Sequence, residues 1–144
     1  MRFSDEVHQA LTRAGWFPGR QVAVDLSGAG LSGFAWHQAA RFFLSEFAGI
    51  SVEVKGSGVS VAREPFLFDP EAAVGEEDRF EAASERFARH FCPVGEIGRG
   101  EFFLAIDENA VMYLLAHEVF RLGPVDEALA NLVLGVKATR VPRA

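Results

Sequence analysis

The sequence predicts an α+β fold in which about four helices pack on a mixed, mainly antiparallel sheet. Segments with an apolar residue every three or four positions, which are typical of helices, are interspersed with short apolar or alternating runs, which are typical of strands. Short turns join most of the strand segments, so hairpins outnumber crossover connections. A length of 144 residues and a hydrophobic content of 49% are sufficient for one domain, over residues 1–144, with one substantial core.

Residues 4–33 are predicted to form one helix, one short strand and a connector. The hydroxyl of Ser4 can cap the helix, and Gly15 is placed to end it. Val22–Leu26 is apolar at alternate positions and is interpreted as a short strand. The glycine-rich residues that follow lead into the next helix.

The segment Phe34–Lys55 contains a helix followed directly by a strand. The apolar residues of the helix fall on one face, at positions i, i+4, i+7 and i+11: Trp36, Ala40, Phe43 and Phe47. Gly49 is placed to end this helix in the left-handed conformation that glycine adopts without steric cost. From Ile50 onward, apolar and polar residues alternate, which predicts a strand with one exposed face.

Residues 56–92 are predicted to contain a hairpin and a third helix. Gly56–Gly58 is interpreted as the hairpin loop, with the return strand directly after it. The alternation of Phe66 and Phe68 indicates pairing at a sheet edge. Glu76–His90 has one apolar face, which predicts a helix that Cys92-Pro93 ends.

The last third of the chain is predicted to form two central strands and a final helix. Glu101–Ile106 and Val111–Leu115 are apolar at nearly every position, as in strands covered on both faces. Gly123-Pro124 is placed to open the last helix and Gly135 to end it. Residues 136–144 are expected to form a flexible tail.

The charge and composition exclude several classes of function. A formal net charge of −6 and the lack of any basic cluster argue against binding to a nucleic-acid backbone. The chain has no apolar run near the ~20 residues of a membrane span and no secretory signal after Met1, so we expect a cytoplasmic protein without a membrane partner. The single cysteine excludes an intrachain disulfide bond.

Residues Gly28–Gly33 match the G-x-G-x-x-G pattern of dinucleotide-binding loops. Glu53 follows 20 residues after the last of these glycines, where such folds place a ribose-binding carboxylate. However, Asp25 and Ser27 occupy positions that should hold the buried residues of the preceding strand. The strand that contains Glu53 also leads into a hairpin and not into a crossover helix. A connector is therefore the simpler interpretation, and a small nucleotide-binding protein using Gly28–Gly33 is the alternative.

Metal and catalytic sites have weak support in the sequence. His90 and Cys92 could both bind a metal, but a zinc site needs three or four ligands and no second pair is near. Cys92 with His117 is an arbitrary pairing, and no pattern of a serine nucleophile occurs. Glu96 and Glu101 flank a glycine-rich turn, where carboxylates are usually solvated. We therefore expect no catalytic residues, no metal and no cofactor, and a protein that is not an enzyme.

The densest charge lies at the start of the third predicted helix, and it defines the candidate partner-binding residues. These are Glu76, Glu77, Asp78 and Glu81. An acidic patch of this kind could contact a basic partner. A solvated helix face, neutralised in part by arginines on the same helix, is the simpler interpretation.

Five motifs, in order along the chain, carry a resemblance to a known family. They are Gly15-Trp16-x-Pro18-Gly19-Arg20; Ala39-Ala40-x-x-Phe43-Leu44-x-Glu46-Phe47-Ala48-Gly49-Ile50-x-Val52; Pro93-Val94-Gly95-Glu96; Ile106-Asp107 with Val111-x-Tyr113; and Leu122-Gly123-x-x-Asp126-Glu127-Ala128-Leu129-x-x-Leu132-x-x-Gly135. The ordered set resembles the third subfamily of the SUKH superfamily, which comprises immunity proteins of bacterial polymorphic toxin systems. Ala48 and Ala110 stand where that family tends to have glycine.

The resemblance implies a SUKH-like α+β fold and a non-enzymatic role. Such a protein is expected to bind a cognate toxin domain stoichiometrically and so protect the cell that produces it. Many toxins paired with this superfamily are nucleases or nucleic-acid deaminases, whose basic clefts would suit an acidic partner. A general protein-interaction scaffold of the same fold is a further alternative.

Overall fold

Four α-helices, one 3₁₀ turn and nine strands make up residues 2–144, the part of the chain that the computed structural model describes. The helices are α1 (Asp5–Arg13), α2 (Gln38–Phe47), α3 (Glu77–Phe87) and α4 (Val125–Leu134), and the 3₁₀ turn spans Pro70–Ala73. The strands are β1 (Ser51–Val52), β2 (Gly56–Ser57), β3 (Ala62–Arg63), β4 (Phe66–Leu67), β5 (Cys92–Ile97), β6 (Phe102–Ile106), β7 (Val111–Leu115), β8 (Val119–Pro124) and β9 (Thr139–Arg140).

Seven strands form one sheet, and the other two form a separate hairpin. The order in the sheet is β1-β4-β5-β6-β7-β8-β9, and every neighbouring pair is antiparallel. Strands β2 and β3 pair only with each other within the described residues. The predicted α+β class with about four helices is confirmed, and the sheet is antiparallel throughout residues 2–144.

Helices cover both faces of the sheet. On β6, Leu104 and Ile106 join an apolar cluster with α1, α2 and α4, whereas Phe103 and Ala105 join a second cluster with α3. The ring of Phe103 contacts Phe80 of α3 edge to face, with 5.6 Å between the centroids. The central strands are thus apolar on both faces, as the runs in β6 and β7 predict.

Local sequence signals predict two of the following three helix ends correctly and one incorrectly. The hydroxyl of Ser4 accepts the N–H of Val7 at 3.4 Å, which confirms the predicted cap of α1. Helix α3 ends at Ala88, which is left-handed with φ +52°, several residues before Cys92-Pro93. Gly135 ends α4 in the left-handed conformation, with φ +71°, as predicted.

A histidine ring caps α2, which therefore begins after Trp36 and not at it. Nδ1 of His37 accepts the N–H of Ala40 at 3.1 Å, so the ring proton of the neutral imidazole lies on Nε2. Nε2 then donates towards the carbonyl oxygens of His90, at 3.0 Å, and Ile106, at 3.2 Å. The cap consequently ties the start of α2 to the strand layer.

The strand predicted over Val22–Leu26 is wrong. The N–H of Val22 donates to the carbonyl oxygen of Ser45 on α2 at 2.7 Å. The segment therefore runs against a helix and not against a strand, so it forms no strand ladder.

The hairpin after β1 differs in register from the predicted one. Gly56 and Ser57 are not its loop but its first strand, β2, and they pair with Arg63 and Ala62 of β3. The turn lies over residues 58–61 instead. Glycine is needed in the turn at position 58, because the backbone there lies close to the backbone at the C-terminus of α4.

Two strand assignments also change. Cys92-Pro93, interpreted as a helix stop, begins the buried strand β5. Proline removes a ladder donor, and the sheet accommodates it by a register shift between Pro93 and Gly95. Strand β4, expected at an edge, lies inside the sheet between β1 and β5.

The segment expected to be a flexible tail packs in part against the sheet. Strand β9 pairs Thr139 with Arg121 and Arg140 with Phe120 of β8. Val141 is buried. Residue 1 lies outside the described residues, and the single-domain boundary over 1–144 stays a prediction.

Candidate functional site

The glycine-rich segment Gly28–Gly33 lacks the strand-turn-helix geometry of a dinucleotide-binding loop. It forms turns, no strand precedes it among residues 2–27, and α2 begins only at Gln38. Its backbone packs against the residues before α3, so that a Cβ on Gly30 would lie 2.8 Å from Val74. A helix N-terminus directed at a bound phosphate is therefore not formed at this segment.

His90 and Cys92 lie together as a pair. His90 Nε2 and Cys92 Sγ are 4.0 Å apart, and residues 2–144 contain no group of three or more His, Cys, Asp or Glu side chains placed to hold a metal ion. The thiol donates to the carbonyl oxygen of Ala35 at 3.5 Å. Burial raises the pKa of Cys92 to about 11, so the thiol is protonated at neutral pH and is a poor nucleophile or ligand.

The four acidic candidate residues lie together at the start of α3, but two of them have partners within the chain. Glu76 forms an ion pair with Arg79, with 3.0 Å between Oε2 and Nε. Glu77 accepts a backbone N–H at 3.1 Å. Asp78 and Glu81 are exposed, so these two carboxylates are the more accessible to a partner.

An apolar groove of about 340 Å³ opens beside the β2–β3 hairpin; we call it the hairpin groove. Its lining includes the half-exposed side chains of Phe102, Leu114 and Phe120, from β6, β7 and β8, and the exposed Val61 of the hairpin. The rings of Phe102 and Phe120 meet edge to face at 6.1 Å. Phe102 precedes Phe103 on β6, so the groove lies on the face of the sheet opposite to α3.

Backbone hydrogen bonds hold the hairpin across the C-terminus of α4. The N–H of Val59 donates to the carbonyl oxygen of Leu134 at 2.9 Å. The N–H groups of Ser60 and Val61 donate to that of Gly135 at 2.9 and 3.0 Å. These bonds satisfy carbonyl groups that the end of a helix leaves free, and they fix the hairpin as one wall of the groove.

The hairpin can reach α4 only because glycine stands at both points of contact. A Cβ on Gly58 would lie 2.6 Å from the Cα of Gly135, and a Cβ on Gly135 would lie 2.8 Å from the Cα of Gly58. Real Cβ atoms do not approach other atoms this closely, so a side chain at either position would push the hairpin away.

One carboxylate, that of Glu64, lines the hairpin groove. A second, that of Glu101, lies near it, since both side chains reach the space beside Gly98. Burial, followed by repulsion from Glu101, raises the pKa of Glu64. Among residues 2–144, neither carboxylate forms an ion pair, and Lys137, which also lines the groove, is not within salt-bridge distance of them.

The hairpin groove has no local signature in the sequence. Its lining comes from β3, from the strands β5 to β8, from α4 and from the residues after α4, which are far apart in the sequence and have no shared pattern. One signal was available: Val59 and Val61 are apolar residues in a turn, and they are 72% and 41% exposed. Exposed apolar residues that adjoin further apolar surface indicate an interaction site.

No helix within residues 2–144 combines the length and the apolar character that a membrane span requires. The described helices are short and amphipathic, with one face directed to the sheet.

Comparison with known proteins gives a match at the level of a family. A family model described as SUKH-3 immunity protein matches residues 3–135, from just before α1 to the glycine that ends α4. No curated protein and no solved structure matches the chain.

Proposed function

The chain belongs to the SUKH-3 immunity protein family, and we propose that it neutralises a cognate bacterial toxin domain by forming a stoichiometric complex with it. The observation that carries this proposal is the family match over residues 3–135, which includes all four helices. In this proposal the protein acts in the cytoplasm of the producing cell, catalyses no reaction and needs no cofactor.

The surface chemistry supports a binding role. The hairpin groove presents half-exposed aromatic side chains, and the start of α3 presents exposed carboxylates. A toxin that cleaves or deaminates nucleic acid needs a basic substrate cleft. An acidic protein with a formal net charge of −6 would approach such a cleft quickly, because opposite charges raise the rate of encounter.

The acidic residues at the start of α3 are proposed to take part in this approach. They are Glu76, Glu77, Asp78 and Glu81. Asp78 and Glu81 would contribute most, because Glu76 is already paired with Arg79 and Glu77 with a backbone N–H. A toxin of the nuclease or deaminase class is therefore the partner that we expect.

Co-expression with the toxin domain encoded beside this gene tests the proposal. The toxin would be induced in cells with and without this protein, and growth would be measured. We expect growth to be restored and a one-to-one complex to elute from a sizing column. An immunity protein of the same family from a different locus is the matched control and should not rescue growth. Toxicity that persists, with no complex, would contradict the proposal for that toxin.

A nucleotide-binding role can be tested separately by thermal melting with saturating NAD or ATP. A ligand that binds only the native state must raise the melting temperature. We expect no change, because Gly28–Gly33 lacks the helix N-terminus that such a loop uses. A rise that Gly30→Val abolishes would instead support the nucleotide-binding alternative.

A further inference from the structure

We propose that the hairpin groove is the surface that binds the toxin, and that it receives an apolar side chain of the toxin flanked by arginine or lysine. The inference rests on the proposed function and specifies its interface. It is carried by the apolar lining of the groove together with the carboxylate of Glu64 in that lining and that of Glu101 near it.

The size and lining of the groove fit an inserted side chain. Its volume of about 340 Å³ is at the lower end of the range for binding pockets, and its walls include the exposed hairpin residue Val61. Phe102 and Phe120 form an edge-to-face pair that is already held in place by the sheet. Because these rings are already ordered, they would lose little further conformational freedom when a partner side chain packs on them, which is a property of residues that dominate binding energy.

The rim of the groove specifies the charge of the partner. Glu64, in the lining, and Glu101 both lie beside Gly98, and neither forms an ion pair within residues 2–144. Burying two such carboxylates under a neutral or acidic partner would be unfavourable. A guanidinium or ammonium group would relieve the repulsion between them, and a guanidinium can bond both oxygens of a carboxylate.

The position of the groove separates its role from that of α3. The start of α3 packs on one face of the sheet through Phe80. The groove lies on the other face, where the side chain of Phe102 is located. A partner seated in the groove would not simultaneously cover Asp78 and Glu81. Carboxylates on α3 would then change the rate of association, and residues of the groove would change the rate of dissociation.

The test measures the affinity for the purified toxin domain encoded beside this gene. Phe120→Ala removes an aromatic ring from the groove, and Val61→Asp places a charge in it at an exposed position that does not disturb the core. Phe42→Ala is the matched control, because Phe42 is an exposed aromatic residue, 71% exposed, that does not line the groove. Thermal melts of each variant establish that it is folded.

We expect Phe120→Ala and Val61→Asp each to raise the dissociation constant about tenfold or more, and Phe42→Ala to change it less than about twofold. Glu64→Lys should also weaken binding, and Glu64→Gln should weaken it less. If the wild-type chain binds the toxin and both folded groove variants bind equally well, the groove is not the interface. If the wild-type chain does not bind the toxin, the proposed function fails and this inference fails with it.

A second copy of this chain is the competing occupant of the groove. Sizing chromatography of the wild-type chain and of Val61→Asp without toxin distinguishes the two cases. A wild-type dimer that Val61→Asp converts to a monomer, with unchanged toxin affinity, would overturn the proposal. A wild-type monomer, together with weaker toxin binding by Val61→Asp, would support it.

Discussion

The hydroxyl of Tyr113 donates a hydrogen bond of 2.7 Å to Oδ2 of Asp107, in the turn between β6 and β7. Oδ1 of Asp107 accepts the N–H groups of Asn109 at 2.9 Å and Val111 at 3.1 Å. Asp107 is only 3% exposed, and these three bonds compensate for the burial of its charge. The turn is thereby held in a shape that places Ala110 in the left-handed region, with φ +63°.

Tyr113, the single tyrosine, is expected to ionise only at unusually high pH. Burial, followed by the hydrogen bond and charge of Asp107, raises the pKa of Tyr113 to about 12. Because an unfolded tyrosine has a pKa near 10, this contribution to stability is complete below about pH 10 and is lost as the pH rises towards 12. A spectrophotometric titration should show little phenolate near pH 10, and Asp107→Asn should lower the midpoint. A wild-type midpoint near 10 in the folded protein would contradict this expectation.

Cys92 is expected to be unreactive in the native state. Its thiol is buried, and burial raises its pKa to about 11, so little thiolate exists at pH 8. A thiol-specific chromogenic disulfide should therefore react with the native protein far more slowly than with the protein in concentrated urea. Because the chain has a single cysteine, the signal needs no assignment. Equal rates in the two states would show that the thiol is accessible.

Glu46 is expected to stabilise the fold at neutral pH more than at acid pH. Burial opposes its ionisation, but hydrogen bonds from Arg2, at 2.6 Å, and from the indole of Trp16, at 2.9 Å, together lower its pKa. Its stabilising effect is therefore present at neutral pH and is lost as the pH falls through this lowered pKa.

The variant Glu46→Gln should lower the free energy of unfolding by about 1–2 kcal/mol at pH 7, because the hydrogen bonds that the charged carboxylate accepts, two from Arg2 and one from Trp16, become weaker or are lost. Urea unfolding should show this difference decreasing as the pH falls through the carboxylate range. Glu85→Gln, on the exposed face of α3, is the control and should change stability by less than about 0.5 kcal/mol. If the difference in unfolding free energy between the wild type and Glu46→Gln were the same at every pH, the effect of Glu46 would arise from packing and not from its charge.

Gly58→Ala is expected to displace the β2–β3 hairpin. The added Cβ would clash with the carbonyl oxygen of Val61 within the hairpin, and it would lie 2.6 Å from the Cα of Gly135 and 2.8 Å from the carbonyl oxygen of Leu134, all of them backbone atoms. We expect a loss of about 1–3 kcal/mol in unfolding free energy. Gly28→Ala is the control, because its Cβ would meet nothing within 4 Å. Equal free energies of unfolding for the two variants would show that the hairpin can move away from α4 without loss of stability.

Reversal of charge on α3 is expected to slow the association of the toxin. The double variant Asp78→Lys/Glu81→Lys should lower the association rate constant several-fold at low salt and leave dissociation nearly unchanged, because these residues act through charge at a distance. Glu6→Lys/Glu127→Lys makes the same change in net charge at exposed positions of α1 and α4 and serves as the control. Equal slowing by both pairs would assign the effect to net charge and not to α3.

The elements with a clear period could be predicted from the sequence, and those that depend on distant contacts could not. The apolar stripes of α1, α3 and α4 and the continuous runs of β6 and β7 are local signals, and all five elements occur near the predicted positions. Strand β5 was missed because Pro93 is normally excluded from central strands. The register shift beside Gly95 that accommodates Pro93 depends on the neighbouring strand and is invisible in the local sequence.

The candidate site divides in the same way. The acidic residues Glu76, Glu77, Asp78 and Glu81 are adjacent in the sequence and could be found there, and the pairing of Glu76 with Arg79 fits the expected partial neutralisation by arginines of the same helix. The match of Gly28–Gly33 to a nucleotide-binding pattern could be discounted from the sequence, because Asp25 and Ser27 occupy positions where the preceding strand needs buried residues, and no strand forms among residues 2–27. The hairpin groove could not be found from the sequence, because only the folded sheet brings Val61 beside Phe102 and Phe120.

The two outermost strands of the sheet, β1 and β9, are only two residues long each. A long exposed strand edge invites addition of strands from other chains and so leads to aggregation. Here the edge at β9 also carries a charge, because Arg140 is held by Glu118 at 3.3 Å. The role proposed above, that of a stoichiometric inhibitor, would require the protein to be as abundant in the cell as its target, and these short edge strands would help it to remain dispersed at high concentration.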